Sequence, residues 1–414
     1  MANHPSTTRV YTDEVYDHIV VGAGLSGLFA TQQLIALQQT TRRNILILEA
    51  NDRIGGRVYS PQGHDWGATW LWPEDDKRLM KLVRSYNVNT FEGEDGTIVS
   101  ISNRKKDEDD VDAEYKKKMT GSLPGQLRFI GGAGQIIDGL YKDVSDHVEI
   151  RFHEKVISLA EQYGHDSSSV THSHVHALTK MVQITTKHVQ NGGRMSYMAK
   201  SVIIAVPPRL ILRDVDFSPP LPEEQQHVMK STPIWMEKAS KAYITFPKRL
   251  WNADQLPIFT NNGCAIFDVS LDDIHKEGEV RSISPSDPAT LCIFNLGIPF
   301  EFTEESLAER VYPWIDQALG DGITMTQEVK EIKIHNWASS PWTSVSEQYN
   351  QHDGPSARQA HRFGHPSLRR QAFGGSVSFA STETEPAYGH MEGALQSGER
   401  SAAESVAYIV TLND

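Results

Sequence analysis

The nine residues Ile19 to Gly27, IVVGAGLSG, constrain this chain more than any other stretch. A short, β-branched apolar run leads into a turn with glycine at Gly22, Gly24 and Gly27, after which Leu28, Leu34 and Leu37 recur at helical spacing. That order is strand, tight turn, helix. In such a turn the first glycine permits the reversal, the second lets a diphosphate approach the backbone, and the third lets helix pack on strand. The helix N-terminus, opening at Leu25 and Ser26, offers unpaired N–H groups and a partial positive charge to an anion. A second apolar run, Ile45 to Leu48, ends at Glu49 and Ala50, where a carboxylate is placed to accept hydrogen bonds from ribose hydroxyls. Turn, second strand and terminal acid together predict a dinucleotide-binding βαβ unit.

Arg53, Ile54, Gly55, Gly56 and Arg57 follow directly, adding two glycines and two guanidinium groups suited to a diphosphate. With this R-x-G-G-R run after the strand-end Glu49, the chain resembles the flavin amine oxidase family, which includes monoamine, polyamine and L-amino acid oxidases. The resemblance implies FAD, an α/β fold with a Rossmann-like FAD-binding domain, and an interleaved α+β substrate domain built on a mixed sheet flanked by helices. It places the FAD-binding domain in residues 1–80, 129–208 and 368–414, and the substrate-binding domain in 81–128 and 209–367.

The remaining landmarks acquire roles from the same resemblance. Gly67, Ala68 and Thr69 match the segment that passes the flavin ring, and Trp70 and Trp72 are candidates for a substrate wall, with ordinary core packing as the competing reading. Trp70 stands where amino acid oxidases of the family carry a carboxylate-binding arginine, which counts against an α-amino acid substrate. Arg128 to Ile130 with Gly131 and Gly132 marks the return to the FAD domain, and Val156 matches a backbone contact to the adenine end. Lys241 matches the catalytic lysine that faces the flavin, with Lys238 as the competitor.

Alignment on Asn336 and Trp337, the latter a cofactor-side tryptophan, adds Trp342 to the substrate lining. It puts Ser346 where monoamine oxidases carry a flavin-bonded cysteine, so the FAD is expected to be non-covalent. Glu347 and His390 then occupy the two positions of the monoamine oxidase tyrosine cage, which favours a polar or multiply charged amine. Thr382 fits a contact to the ribityl or phosphate portion and Met391 the backbone donor at the start of the last helix, while Ser381 replaces the usual glycine of the F-A-G turn. The implied reaction is oxidation of an amine to an imine with O2 as acceptor and hydrogen peroxide as by-product. A desaturase of a secondary metabolite and a flavin-binding interaction protein without turnover are the alternatives.

Composition narrows the partners. A formal net charge of -13 argues against nucleic acid, which needs a basic face, and mildly favours cationic ligands. Two cysteines are too few for a disulfide framework, so a reducing, cytoplasmic setting is expected. No run approaches the roughly 18 apolar residues of a membrane helix. No signal peptide, membrane tail or peroxisomal tripeptide is read at either end. His172, His174 and His176 alternate within Tyr163 to His176, but no supporting ligand is evident in the sequence, and a polar hairpin rather than a metal site is expected. Residues 100–119 read as a solvated charged loop. The oligomeric state stays open, a homodimer included.

Overall fold

The computed structural model describes residues 10–37, 44–92, 97–99, 126–165, 178–252, 255–260, 264–270, 286–295, 302–320, 322–345, 363–386 and 389–413. The three alternating histidines, the whole charged segment 100–119, Ser346 and Glu347 lie outside these residues. The chain forms two compact units. One comprises Met1–Val58, Ile136–Trp235 and Gln359–Asp414, the other Tyr59–Gln135 and Met236–Arg358. The first crossover thus comes at residue 58 rather than 80, and the third at 235 rather than 208. The segment after Tyr59 hydrogen-bonds to the second unit's own central strand, whereas Leu221 and Met229 are buried in the first unit's core.

The first unit is built on an eight-stranded sheet. Five strands run parallel in the order Val377–Phe379, Arg194–Ile204, Val10–Val21, Ile45–Leu48, Glu149–Arg151. Ile45 to Leu48 are buried without exception, as an apolar run covered on both faces must be. Arg194–Ile204 forks the sheet: its first half pairs antiparallel with Leu178–His188, and from Val202 onward Val377–Phe379 takes that edge. Glu154–His165 extends the antiparallel arm by pairing with Leu178–His188, and Asp216–Ser218 lies beyond it. The helix after the glycine turn, Leu25–Leu37, crosses the C-terminal helix, Met391–Asn413, at Gly398. A β-carbon there would sit 2.7 Å from the Ser26 carbonyl oxygen, so only glycine allows this approach. His18 is buried beneath the C-terminal helix, its Nδ1 2.9 Å from Ser405 Oγ, which in turn meets Ser201 Oγ at 2.5 Å.

The second unit carries a six-stranded sheet in the order Glu331–Asn336, Ser240–Phe246, Ala289–Asn295, Cys264–Asp268, Ile258–Thr260, Thr97–Val99. All neighbours are antiparallel except the last pair. Because successive side chains point to opposite faces, Ala242, Ile244 and Phe246 enter one core, with Leu307, Ile315 and Leu319 from the covering helices, and Lys241 and Tyr243 go to the other face. A single helix kinked at Pro313 is expected over Thr303 to Leu319. The structure breaks it at Val311 into Glu304–Arg310 and Tyr312–Leu319, and Pro313 falls in the first turn of the second helix, where its missing N–H costs nothing. Thr303 caps the first helix: its hydroxyl accepts the Ser306 N–H at 3.0 Å while its own N–H donates to Ser306 Oγ at 2.9 Å. Among the described residues no helix is long and apolar enough to cross a membrane.

Candidate active site

In the first unit the two glycine motifs of the sequence come together. Gly55 N–H donates to the Ala23 carbonyl at 2.8 Å, and Gly24 and Gly55 form an isolated parallel bridge. At Gly27 a β-carbon would lie 1.9 Å from the Gly22 oxygen, so glycine is obligatory where helix meets turn. At Gly24 it would lie 3.9 Å from the Gly56 α-carbon, with nothing nearer, so that glycine leaves room beside the turn. Glu49 ends its strand with one carboxylate oxygen accepting the Ala23 N–H at 2.6 Å and the other the Asn51 N–H at 2.8 Å. Burial pushes Glu49 up, against the pull of those N–H donors and of Arg53. Val156 belongs to the strand whose Glu154 N–H donates to the Glu49 carbonyl at 2.8 Å, which keeps that backbone beside the strand-end acid.

Arg57 has a partner that its motif did not reveal. In place of an open guanidinium for a diphosphate, the structure pairs it with Glu383, 326 residues away, through contacts of 2.5 and 3.2 Å. Glu383 is 0% exposed and also accepts the Trp235 N–H at 3.0 Å, while Arg57 donates to the Trp235 carbonyl at 3.1 Å. Burial alone would raise the Glu383 carboxyl, but the guanidinium beside it holds it below the ordinary carboxylate range. Because the folded value is the lower one, this pair contributes at neutral pH and its contribution is lost as pH falls through the folded value. Glu383→Gln should therefore cost about 3 kcal/mol, as expected when one member of a buried pair is removed. The deficit, read from chemical denaturation, should be full at pH 7 and shrink in acid, and a pH-independent deficit would contradict an ionised pair.

Past Glu383 the chain turns back through the Thr382 hydroxyl, which donates to the His390 carbonyl at 2.8 Å, and the C-terminal helix starts at Met391. The His390 ring stands edge-on to Trp235 with centroids 6.0 Å apart. Trp235, fixed on both sides of its peptide by Glu383 and Arg57, was not singled out by sequence.

In the second unit Lys241 is 1% exposed and its ammonium has three acceptors for three protons: Asp65 O at 2.7 Å, Gly67 O at 2.9 Å and Thr69 Oγ1 at 2.6 Å. Thr69 passes its own proton to the Gly67 carbonyl at 3.2 Å. Nζ also stands 4.8 Å from the Phe294 ring centroid and 5.5 Å from that of Trp70, a cation over two aromatic faces. Lys241 therefore holds the Asp65–Thr69 segment, and Tyr243, two residues on, adds its hydroxyl to the Asp65 carbonyl at 2.9 Å. Lys238 lies ahead of the strand and is only half-buried.

The side chain of Asp65 organises the other flank. Its Oδ1 accepts the Ala133 N–H at 2.8 Å and the Ser60 hydroxyl at 2.5 Å, and Ser60 Oγ accepts the Gly134 N–H at 2.9 Å. Burial raises Asp65, offset by Lys241, Ser60 and Ala133. The segment bearing Gly67, Ala68 and Thr69 is thus tied to the second double-glycine turn as well as to Lys241. Trp70 packs at 5.2 Å from Phe267 and 5.7 Å from Phe294, and its buried indole N–H has no hydrogen-bond partner. Trp72 is half-buried, its peptide N–H donating to Asp76 at 2.7 Å. Trp337 is core: its Nε1 donates to the Trp66 carbonyl at 2.9 Å and its ring abuts His335 at 4.5 Å. Trp342 follows it, half-buried.

Residues 110–405 match the family model of flavin-containing amine oxidoreductases, and residues 20–86 that of an NAD(P)-binding Rossmann-like domain. The chain belongs to the flavin-containing amine oxidoreductases. It is 22% identical to a flavin-containing amine oxidase of Danio rerio, across 95% of this chain and 86% of that protein. Among solved structures, cyclohexylamine oxidase from Brevibacterium oxydans covers 97% of this chain and is itself covered completely, with a TM-score of 0.67 at 18% identity. Putrescine oxidase bound to putrescine has the same coverage and identity with a TM-score of 0.65. At that identity the two likenesses establish the fold.

The enzyme is an FAD-dependent amine oxidoreductase, and the first unit's residues fit the cofactor. The space beside Gly24, the free N–H groups at Leu25 and Ser26, and the strand-end Glu49 suit the adenosine diphosphate portion. Bound flavin supplies two-electron redox chemistry, and the polypeptide supplies position and electrostatics.

Proposed function

We propose that the enzyme oxidises the C–N bond of a small polar amine to an imine, passing electrons to O2 with release of hydrogen peroxide, the imine then hydrolysing to a carbonyl compound. Family membership over residues 110–405, together with the glycine and Glu49 cradle, carries this reading. Lys241 serves as a positioning residue: with three donors engaged, it fixes Gly67, Ala68 and Thr69, the segment that by resemblance borders the flavin ring. Trp70, Trp72, Trp342 and His390 are the proposed substrate-side residues.

The substrate class follows from two replacements. Trp70 stands in place of a carboxylate-binding arginine, and His390 in place of a cage tyrosine, so neither an α-amino acid nor an arylalkyl monoamine is favoured. Glu347 is proposed to meet a distal ammonium, and the net charge of -13 favours a cationic guest. A diamine and an aromatic monoamine mixed anaerobically with the enzyme separate the possibilities. The diamine should bleach the flavin absorbance rapidly and the aromatic amine slowly. Equal rates would remove the argument for a second charge, and no bleaching by any amine would remove the proposed substrate class.

With Ser346 where covalent members carry cysteine, the FAD is proposed to be dissociable. Acid precipitation should leave all of the yellow colour in the supernatant, and flavin retained in the pellet would show a covalent bond. Both cysteines are buried and free, in keeping with the proposed reducing, cytoplasmic setting.

A further inference from the structure

A buried ammonium needs an opposite charge, and the three acceptors of Lys241 do not supply one. Asp65 O, Gly67 O and Thr69 Oγ1 are uncharged oxygens, and Phe294 and Trp70 offer only their ring faces. The geometry nevertheless requires the charged form. Three oxygens at 2.6 to 2.9 Å take three protons, whereas a neutral amine has two and would turn its lone pair on the third oxygen. Thr69 cannot reverse its bond, because its own proton goes to the Gly67 carbonyl. Charges buried this deeply are ordinarily paired.

The groups around Lys241 come from each element packed on it. His335 stands opposite it on Glu331–Asn336, and Tyr243 and Cys292 lie one step along the same face, with His64 edge-on to Tyr243 at 4.6 Å. Lys333, opposite Tyr243, is paired with the exposed Glu331 at 3.4 Å. Arg128 donates to the Asp268 carbonyl at 3.3 Å. From the segment after Tyr59 comes Asp65, 6% exposed. Its Oδ1 takes two donors, Ala133 N–H and the Ser60 hydroxyl, and the Ser60 oxygen is itself occupied by Gly134 N–H. Two donors on one oxygen is the bonding of a carboxylate rather than of a carboxyl O–H. At Gly132 a β-carbon would come within 3.1 Å of that same oxygen, so the turn is closed around it. Of the effects that oppose burial and keep Asp65 ionised, the Lys241 charge is the largest, ahead of Ser60, Ala133 and Arg128.

We propose that the Asp65 carboxylate is the counter-ion that keeps Lys241 charged, and so is a positioning residue for flavin reduction. One residue then takes an ammonium bond on its carbonyl and supplies the charge that makes three such bonds possible. The proposal rests on Lys241 fixing Gly67 to Thr69 beside the flavin, and its test separates the two. Asparagine keeps the oxygen that Ala133 and Ser60 bond and loses the charge. A buried lysine without a counter-charge gives up its proton well below the usual value. Anaerobic flavin bleaching at saturating amine is therefore measured for Asp65→Asn and the parent from pH 6 to pH 9. As pH rises the variant's ammonium is lost, and the variant-to-parent rate ratio should fall about tenfold, the scale of one lost hydrogen bond. The ratio removes any limb both proteins share, that of His335 included. Glu237→Gln, at a buried acid four residues ahead of Lys241, should keep the parental profile.

A second measurement needs no cofactor. Apoprotein melting at pH 7 is recorded for Lys241→Met, Asp65→Asn and the double variant. Lys241→Met strands a buried carboxylate, so adding Asp65→Asn should raise its melting temperature, where two unrelated structural changes would lower it further. A rate ratio constant from pH 6 to pH 9 would make Asp65 a structural anchor and overturn the proposal. So would additive losses in melting, or a pH limb that appears in Glu237→Gln in place of Asp65→Asn. Parent enzyme that no amine bleaches, or Lys241→Met that bleaches at the parental rate, would remove the function proposed above and the positioning role with it, while melting still decides the ion pair.

Discussion

Lys241→Met should yield a yellow enzyme whose flavin is reduced by amine at least about a hundredfold more slowly than in the parent. Methionine fills most of the lysine's volume, but it leaves the Asp65 and Gly67 carbonyls and the Thr69 hydroxyl without the shared donor that draws them to one point. A buried acceptor left without its donor costs about 1–3 kcal/mol. The Asp65 and Gly67 carbonyls keep bonds from Tyr243 and Thr69, so the loss falls hardest on Thr69 Oγ1, and the segment recovers it only by turning toward other donors. Displacing groups around a reacting centre by about 1 Å is enough for a hundredfold loss. Lys241→Arg should not restore the rate, because a planar guanidinium cannot direct three N–H bonds from one nitrogen to three converging acceptors. Tyr243→Phe is the graded control. It removes one of the two donors on the Asp65 carbonyl and leaves the ammonium, so a loss under about tenfold is expected. The readout is the anaerobic rate of flavin bleaching at saturating amine. If flavin-loaded Lys241→Met bleaches at the parental rate, the Asp65–Thr69 segment has no part in the chemistry.

How much of this was legible in the sequence depends on the distance over which each feature is encoded. The opening βαβ unit could be read directly, since strand, glycine turn, helix and terminal acid lie within residues 19–49 and each obeys a local rule of period or backbone freedom. Ile45–Leu48 came out with the bounds expected of it for the same reason. The resemblance picked out Lys241, but nothing in the sequence said what its side chain meets, and Tyr243, on the same face of Ser240–Phe246, was not singled out. Partners that depend on the tertiary fold were invisible. Nothing near Arg57 announces that its counter-charge is Glu383, and nothing in the Gly63–Pro73 stretch shows that Asp65 ties two loops together. A buried acid is a faint signal at best, because Asp and Glu are ordinarily solvated and the alternative reading is always a surface charge. The break at Val311 was missed for a different reason: proline was read as a kink, when its tolerance at a first helical turn made it a start.

Glu49→Gln should give a protein that purifies nearly colourless, with FAD binding weakened by about a hundredfold. The carboxylate now accepts two backbone N–H bonds, from Ala23 at 2.6 Å and Asn51 at 2.8 Å, and ribose hydroxyls must donate to the same two oxygens. An amide keeps one acceptor and turns a donor toward one of those N–H groups, so either the turn or the ribose loses its partner. A charge-assisted bond is worth about 1.5–3 kcal/mol, and a loss at the upper end of that range gives the expected factor. The pH dependence has a definite sign. Burial holds the apoprotein's Glu49 above the ordinary carboxylate range. FAD draws on the ionised form, so cofactor binding should release protons and tighten as pH rises through that value. In Glu49→Gln the pH effect should vanish along with most of the affinity. Titrating wild-type and variant apoprotein with FAD from pH 5 to pH 8 measures both, with ADP, which carries the adenosine and diphosphate but no flavin, as a second probe. ADP should weaken as much as FAD, because the contact is to the adenosine ribose. Loss of FAD binding with ADP unaffected would place Glu49 away from that sugar and reverse the direction in which the cofactor is laid across the sheet.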